Sequence, residues 1–328
     1  MELKLRALSD EEVRVVHDKT LEILRDVGVG VKSKRAYEIL KAGGAKALGG
    51  ETLSIPENMV TDALAKAPKE YVLGARNPAH DYRMPSGVTH YGVDGIAPTI
   101  LDIDTNEVRP STKQDVYNIG RVFQKLNLGA VAWTGCSALD VPPETHSLHE
   151  FAAMISGTSK HVQFELRQAG EAKYAIEILK AILGSEEAVR ERKIASVLFC
   201  PISPLVLDDS MLDAYLELAA YDVPVNVYPC PIIGLTSPAS VFSIVTQINA
   251  EVLASLVLFQ LTKPGLPILY GSCSGNADKV TGDYFYGDES SLVSAGSLEM
   301  AHYYNLPNYV AGCGFEDFPN AMLYPDLV

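Results

Sequence analysis

Apolar and polar positions along this chain change their rhythm near residue 110. Before that point helical and alternating stretches are mixed. Ser9 followed by Glu12 gives a capping-box signature, and Val13, Val16, Leu21, Ile23 and Leu24 then recur at roughly helical spacing until Gly28. Residues 33–42 and 56–67 predict two more helices, the second with Pro56 near its start. TILDIDT and EVRPS alternate on either side of Asp104, Thr105 and Asn106, which predicts a hairpin. Residues 1–110 therefore read as an N-terminal α+β cap.

After Ser111 the pattern becomes regular. Helix-like runs at 113–126, 148–157, 171–183, 208–221, 239–261 and 289–304 lead into apolar, β-branched runs at 130–136, 161–166, 194–200, 224–228, 266–271 and 308–312. That alternation predicts parallel βα units. Runs such as IASVLFC, PVNVY and LPILYGS stop at small, polar or tyrosine residues, as buried parallel strands do where they deliver groups to a site. No strand is followed by GxGxxG, which disfavours an open nucleotide-binding sheet. The fold class expected is α/β, a (β/α)8 TIM-barrel type. Residues 111–328 hold about six of its eight units, the hairpin offers an opening strand, and the tail after Gly312 has no helical periodicity. The barrel is thus expected to be incomplete at the C-terminus.

Composition narrows the classes. The chain has 328 residues, 47% of them hydrophobic, which supports a sizeable core. Its formal charge of −14 argues against a nucleic-acid partner and favours cationic ligands. The five cysteines, Cys136, Cys200, Cys230, Cys273 and Cys313, form no CxxC pair, so neither disulfide staples nor a zinc cluster is expected. His146 and His149, with Glu144 and Glu150 nearby, suggest a metal set on paper, but no HExxH accompanies them. The N-terminus lacks a secretory signal, and the apolar run at 252–261 is far short of a membrane span. A cytoplasmic protein with no membrane association is expected.

Several strings, in order, carry a resemblance: LSDEEVRVVHDKTLEILRDVGV, LFCPISPL, VPVNVYPCPIIGLTSP, INAEVLASLVLFQLTKPGLPILYGS, and the helix leading to LPNYVAGCG. From about residue 7 to about Gly314 the chain resembles the trimethylamine–corrinoid methyltransferase superfamily, including its members without pyrrolysine that act on glycine betaine. The resemblance implies a barrel that moves a methyl group from a methylated amine to the cob(I)amide of a partner corrinoid protein. It implies no tightly bound cofactor, because the corrinoid (cobalamin) is carried by the partner, and a homo-oligomer is expected. After NYVAG the family pattern continues with a lysine-bearing stretch, whereas here GFEDFPNAMLYPDLV follows. A shortened, inactive relative that survives as a binding fragment is the alternative expectation.

The implied chemistry selects candidates. Methyl transfer from a quaternary ammonium is an in-line displacement in which the protein holds a cation, aims its methyl group and excludes water. Aromatic faces and a carboxylate suit that task. Tyr228 and Tyr270 end two predicted strands and Tyr91 follows His90 in the cap; packing with the hydroxyl at a rim is their rival reading. Glu165 ends the HVQFEL strand, where a charge is costly unless paired or functional. Ser203 follows a strand end in CPISPL and offers a hydroxyl to a substrate carboxylate or corrin group. Asn226 sits among Val225 and Val227, where an amide needs partners and the barrel interior suits it. His161 opens its strand at the end opposite the expected site, so a structural role competes with the substrate contact that the resemblance suggests. Glu289 begins the last predicted helix and matches by position a glutamate of the family's Gly-Ser-Pro-Glu segment; a carboxylate favoured by the helix dipole is its plainer explanation.

Overall fold

The computed structural model describes residues 6–208 and 211–311. Three helices open the chain: α1 (Asp10–Glu22), α2 (Lys34–Ala42) and α3 (Glu57–Lys66). The capping box is formed, with Ser9 N donating to Glu12 Oε2 at 2.7 Å and Glu12 N donating to Ser9 Oγ at 3.3 Å. Such a cap stabilises a helix by about 1 kcal/mol. Short strands at Val29–Val31, Lys46–Gly49 and Thr52–Ser54 complete this region as a small mixed sheet.

The main sheet has seven strands: β1 (Tyr91–Gly92), β2 (Gly129–Trp133), β3 (His161–Phe164), β4 (Ala195–Phe199), β5 (Val225–Val227), β6 (Ile268–Ser272) and β7 (Asn308–Val310). They lie side by side in chain order, each neighbouring pair parallel. Helix α4 (Lys113–Phe123) leads into β2, α5 (His146–Gly157) into β3, and α6 (Ala172–Leu183) with α7 (Glu186–Arg192) into β4. Helices α8 (Leu212–Ala219), α9 (Val241–Thr262) and α10 (Asp288–Tyr303) lead into β5, β6 and β7. This is an incomplete TIM-type barrel with an N-terminal mixed sheet, as the pattern predicts. The tail from Gly312, including Cys313, lies outside the described residues.

Two expectations are corrected. The hairpin Thr99–Leu101/Val108–Pro110 forms a separate two-stranded sheet and gives the barrel no strand. The opening strand is instead Tyr91–Gly92, too short for any period to reveal, so there are seven strands where six are legible. Secondly, the chain between β4 and α8 leaves the barrel, and its Val206–Leu207 pairs in parallel with Val29–Val31, so the mixed sheet is built from both halves of the chain.

The sheet curls until its edges touch. Tyr309 Oη, on β7, donates to Val93 O just past β1 at 3.3 Å. Gly92 makes room, since any Cβ there would collide with the Tyr309 ring. The N-terminal end of the barrel is sealed by the hairpin Tyr71–Leu73/Tyr82–Met84, whose Leu73 and Met84 pack on Val131 and Leu269. Helix α9 is long and apolar enough to cross a membrane, yet most of it is buried inside the protein, with α1, α2, α3 and α10 against it. Its polar residues are satisfied there: Asn249 donates to Thr20 Oγ1 and Tyr304 Oη, both at 2.9 Å, and Glu251 accepts from Ser203, Leu205 and Gln247.

Candidate active site at the barrel mouth

Side chains from six strands and their exits meet at the C-terminal end of the barrel. Val93, Trp133, Leu198, Cys200, Tyr228, Cys273, Tyr309 and Ala311 form one cluster, joined by Ile96 and Tyr286 from the loops above. Contacts among so many strands are made across the barrel interior. They follow from strand alternation, which turns every second residue inward. The Tyr228 ring lies 6.3 Å from Trp133, edge-on, and 6.0 Å from Tyr309, tilted, and Tyr284 meets Tyr286 edge-on at 5.4 Å.

Glu165 supplies the carboxylate. It follows β3 immediately, and its charge is felt at Cys200, inside the cluster. Burial pushes its carboxyl up to about 7; the Arg167 guanidinium pulls it back, the nearby Glu150 adds to the rise, and the Trp133 indole lowers it slightly. The Trp133 N–H is buried and leans toward that carboxyl without reaching full hydrogen-bond geometry with any acceptor. A carboxyl raised by desolvation beside a buried indole N–H is a candidate for a functional site.

The structure gathers some of the sequence candidates and separates others. Tyr228 and Glu165 stand at the mouth. Asn226 lies one layer deeper, fully buried, with Nδ2 donating to Gln163 Oε1 at 3.2 Å and its own Oδ1 without a partner. Tyr91 is 61% exposed on the edge strand. Tyr270 faces the other way, into the helix layer, where its hydroxyl donates to Asn249 Oδ1 at 3.1 Å. Its neighbours Leu269 and Cys273 take the inward positions, so the pleat removes Tyr270 from the mouth. Ser203 donates to Glu251 Oε2 on α9 at 2.8 Å, drawn outward with the loop that joins the mixed sheet. His161 sits at the opposite end of the barrel, its ring nitrogens bonded to Gly74 O at 2.8 Å and Ser196 Oγ at 2.9 Å. Glu289 is exposed in the first turn of α10.

Trp133, Tyr286 and Tyr309 are the residues that sequence reasoning missed. Trp133 and Tyr309 lie inside predicted strands, whose apolar residues on both faces hide which positions point inward. Tyr286 comes from a loop, where no period applies. The paper metal set is not assembled: Lys113 Nζ lies 2.9 Å from His149 Nδ1, and Glu150 accepts from Ala138 N. Among the described residues no three His, Cys, Asp or Glu side chains are placed to hold a metal ion. A groove of about 470 Å³ opens between the hairpin and α4, sharing only Val93 with the mouth cluster. Its Arg109 is tied to Asp115 at 2.7 Å and to Asp102 at 2.9 Å.

A curled parallel βα sheet with aromatic and carboxylate groups at its C-terminal strand ends places the protein among TIM-barrel-type proteins. The family is more specific: the sequence profile described as Trimethylamine methyltransferase (MTTB) matches residues 3–317, and the chain belongs to that family. It is 33% identical over 313 residues to trimethylamine methyltransferase MttB of Desulfitobacterium hafniense (strain DSM 10664 / DCB-2), covering 94% of this chain and 62% of that protein. It is 31% identical over 325 residues to trimethylamine methyltransferase MttB2 of Methanosarcina mazei, covering 94% and 64%. To the glycine betaine methyltransferase of Desulfitobacterium hafniense (strain Y51) it is 27% identical over 311 residues, again covering 94% and 64%. The chain thus spans a little under two thirds of the length of these relatives.

Proposed function

We propose that this protein takes a methyl group from a methylated amine, trimethylamine or a quaternary amine such as glycine betaine, and passes it to the corrinoid of a separate partner protein. Family membership and the relatives' activities support the reaction class. The observation that carries the reading for this chain is the mouth itself: Trp133, Tyr228, Tyr286 and Tyr309 gathered in one cluster, with Glu165 beside Trp133. Aromatic faces attract a quaternary ammonium by about 0.5–2 kcal/mol each, more as water is excluded.

The partner's reduced corrinoid, when docked, supplies a cobalt nucleophile for the methyl carbon. This chain's residues do the holding. The aromatic walls grip the cation by its methyl faces, and Glu165 balances its charge from below. During displacement the C–N bond breaks with its electron pair remaining on nitrogen, so the amine leaves neutral. The loss of positive charge weakens its grip on rings and carboxylate alike, which favours release. Leu198, Ile96 and Val93 keep water from the transferring carbon.

Purified protein with cob(I)alamin and a panel of methylated amines tests the reading. Formation of methylcobalamin with trimethylamine or glycine betaine is expected, with Glu165→Gln slower. Absence of the product with every amine, from protein that binds tetramethylammonium normally, would refute the reaction while leaving a cation site.

A further inference from the structure

We propose that Cys230 and Cys273 are a reactive dithiol on the wall of the mouth, one that closes to a disulfide by exchange with a low-molecular-weight disulfide and loosens the pocket as it does so. The pairing follows from the sheet. Strands β5 and β6 are parallel neighbours in the register Val227 to Tyr270. Their ladder runs on past both strands, with Cys273 N donating to Pro229 O at 2.9 Å, which sets Cys230 beside Cys273. One tyrosine touches both thiols: Tyr284 Oη lies 3.5 Å from Cys273 Sγ and 3.9 Å from Cys230 Sγ. Tyr286 Oη approaches Cys273 Sγ to 3.0 Å. Gly275 permits this arrangement, because a side chain there would strike the Tyr284 ring.

The two thiols differ: the hydrogen bond to Cys273 holds the Cys230 proton on, well above the usual thiol range, and the same contact biases Cys273 toward thiolate. Cys230 is exposed, so a small disulfide reaches it first, whereas Cys273 is 4% exposed. The Cys230 thiol donates to Cys273, the hydroxyls of Tyr284 and Tyr286 add to it, and together they outweigh burial and bring the Cys273 thiol down to about 7. Cys273 is thus the member of the pair biased toward thiolate, the form that attacks sulfur. The other described cysteines lack this poise: burial raises Cys136 to about 11 and drives Cys200 well up.

The steps balance. The Cys230 proton passes to Cys273 as the Cys230 sulfur attacks the small disulfide, and the thiolate expelled as the mixed disulfide forms takes that proton, leaving Cys273 as thiolate again. The Cys273 thiolate attacks the Cys230 sulfur, forming the Cys230–Cys273 bond and expelling the second thiol, which takes up a proton. Two protein thiols are oxidised and one disulfide is reduced to two thiols. Tyr284 and Tyr286 lose their thiolate acceptor, and Tyr286 belongs to the aromatic cluster. The effect on ligands rests on the cation-pocket reading above; the bridging does not.

The test uses the whole protein and glutathione disulfide, followed by alkylation and cleavage after glutamate. Glu217, Glu251 and Glu289 separate Cys200, Cys230 and Cys273 onto different peptides. A cross-linked pair carrying Cys230 and Cys273, two hydrogens lighter than the reduced peptides, is expected. Cys273→Ser should stop at a glutathione adduct on Cys230, and Cys230→Ser should slow all reaction at Cys273 by about 10-fold or more. A bridge involving Cys200, or adducts without a bridge in the unmodified protein, overturns the proposal. Titrating tetramethylammonium into reduced and bridged protein decides the second half: affinity about threefold or more weaker when bridged is expected. Equal affinity overturns the coupling and leaves the bridge standing. No binding in either state overturns the coupling together with the pocket reading, while the cross-link is decided on its own.

Discussion

His161 and Glu165 occupy the two ends of strand β3, four positions apart on its inner face, and the barrel treats them in opposite ways. Burial pushes both toward neutrality, His161 down to about 4 and Glu165 up to about 7. His161 has partners for both ring nitrogens and lies under the hairpin that seals the N-terminal end. Glu165 lies beside the buried Trp133 indole at the strand exit, with Arg167 and Glu150 the nearest charges. A buried polar group that is satisfied holds a fold together; one left unsatisfied at a strand exit holds a place for a ligand.

The largest way to break this contrast is at the sealed end. His161→Leu strips partners from Gly74 O and Ser196 Oγ and should cost about 3 kcal/mol of stability in chemical denaturation, with tetramethylammonium affinity unchanged. The variant should also change the response to acid. The unfolded chain takes up a proton near 6.5 and the folded histidine only near 4, so the stability His161 supports is present above 6.5 and lost as pH falls toward 4. His161→Leu should flatten that limb.

Glu165→Gln acts at the other end with the opposite sign. The folded carboxyl keeps its proton to about 7 while the unfolded one gives it up near 4.5, so the protein is most stable below 4.5 with respect to this group and loses stability as pH rises through 7. The variant should remove that loss. It should also weaken tetramethylammonium binding by about 10-fold above neutral pH, where one opposed charge at contact distance in a half-buried site matters most. Unaltered protein should bind more tightly as pH rises through about 7, and Glu165→Gln should show no such dependence. Calorimetric titration reads both.

The smallest effects separate two tyrosines that look alike in sequence. Tyr228→Leu should weaken cation binding by about fivefold. Tyr270→Phe should leave binding untouched and cost about 1 kcal/mol of stability, since Asn249 Oδ1 loses its donor.

That last pair shows where the sequence stops being readable. Parallel strands covered on both faces carry apolar residues on each side, so LPILYGS gives no alternation from which to tell Tyr270 from Leu269. Helices are legible because their faces differ, and α1, α2, α3 and the βα repeats fall within a few residues of their predicted positions. Glu165 stands out as a charge at the end of an apolar run, and Tyr228 as the residue that stops one. Strand β1 escapes notice because two residues have no period, and Tyr286 because loops carry none. Ser203 misleads for a different reason: its loop leaves the barrel to pair with the N-terminal sheet, a contact between Gly30 and Val206 that no local pattern reveals.

Trp133 is the chain's single tryptophan and lies beside Tyr228 in the mouth cluster. Its fluorescence, followed while tetramethylammonium is added and compared with the neutral isostere neopentyl alcohol, tests the central claim directly. A saturable change with the cation, strengthened as pH rises through about 7 and absent with the neutral compound, is the result the cation pocket predicts. Equal responses to both compounds, or none to the cation at any pH, would contradict it.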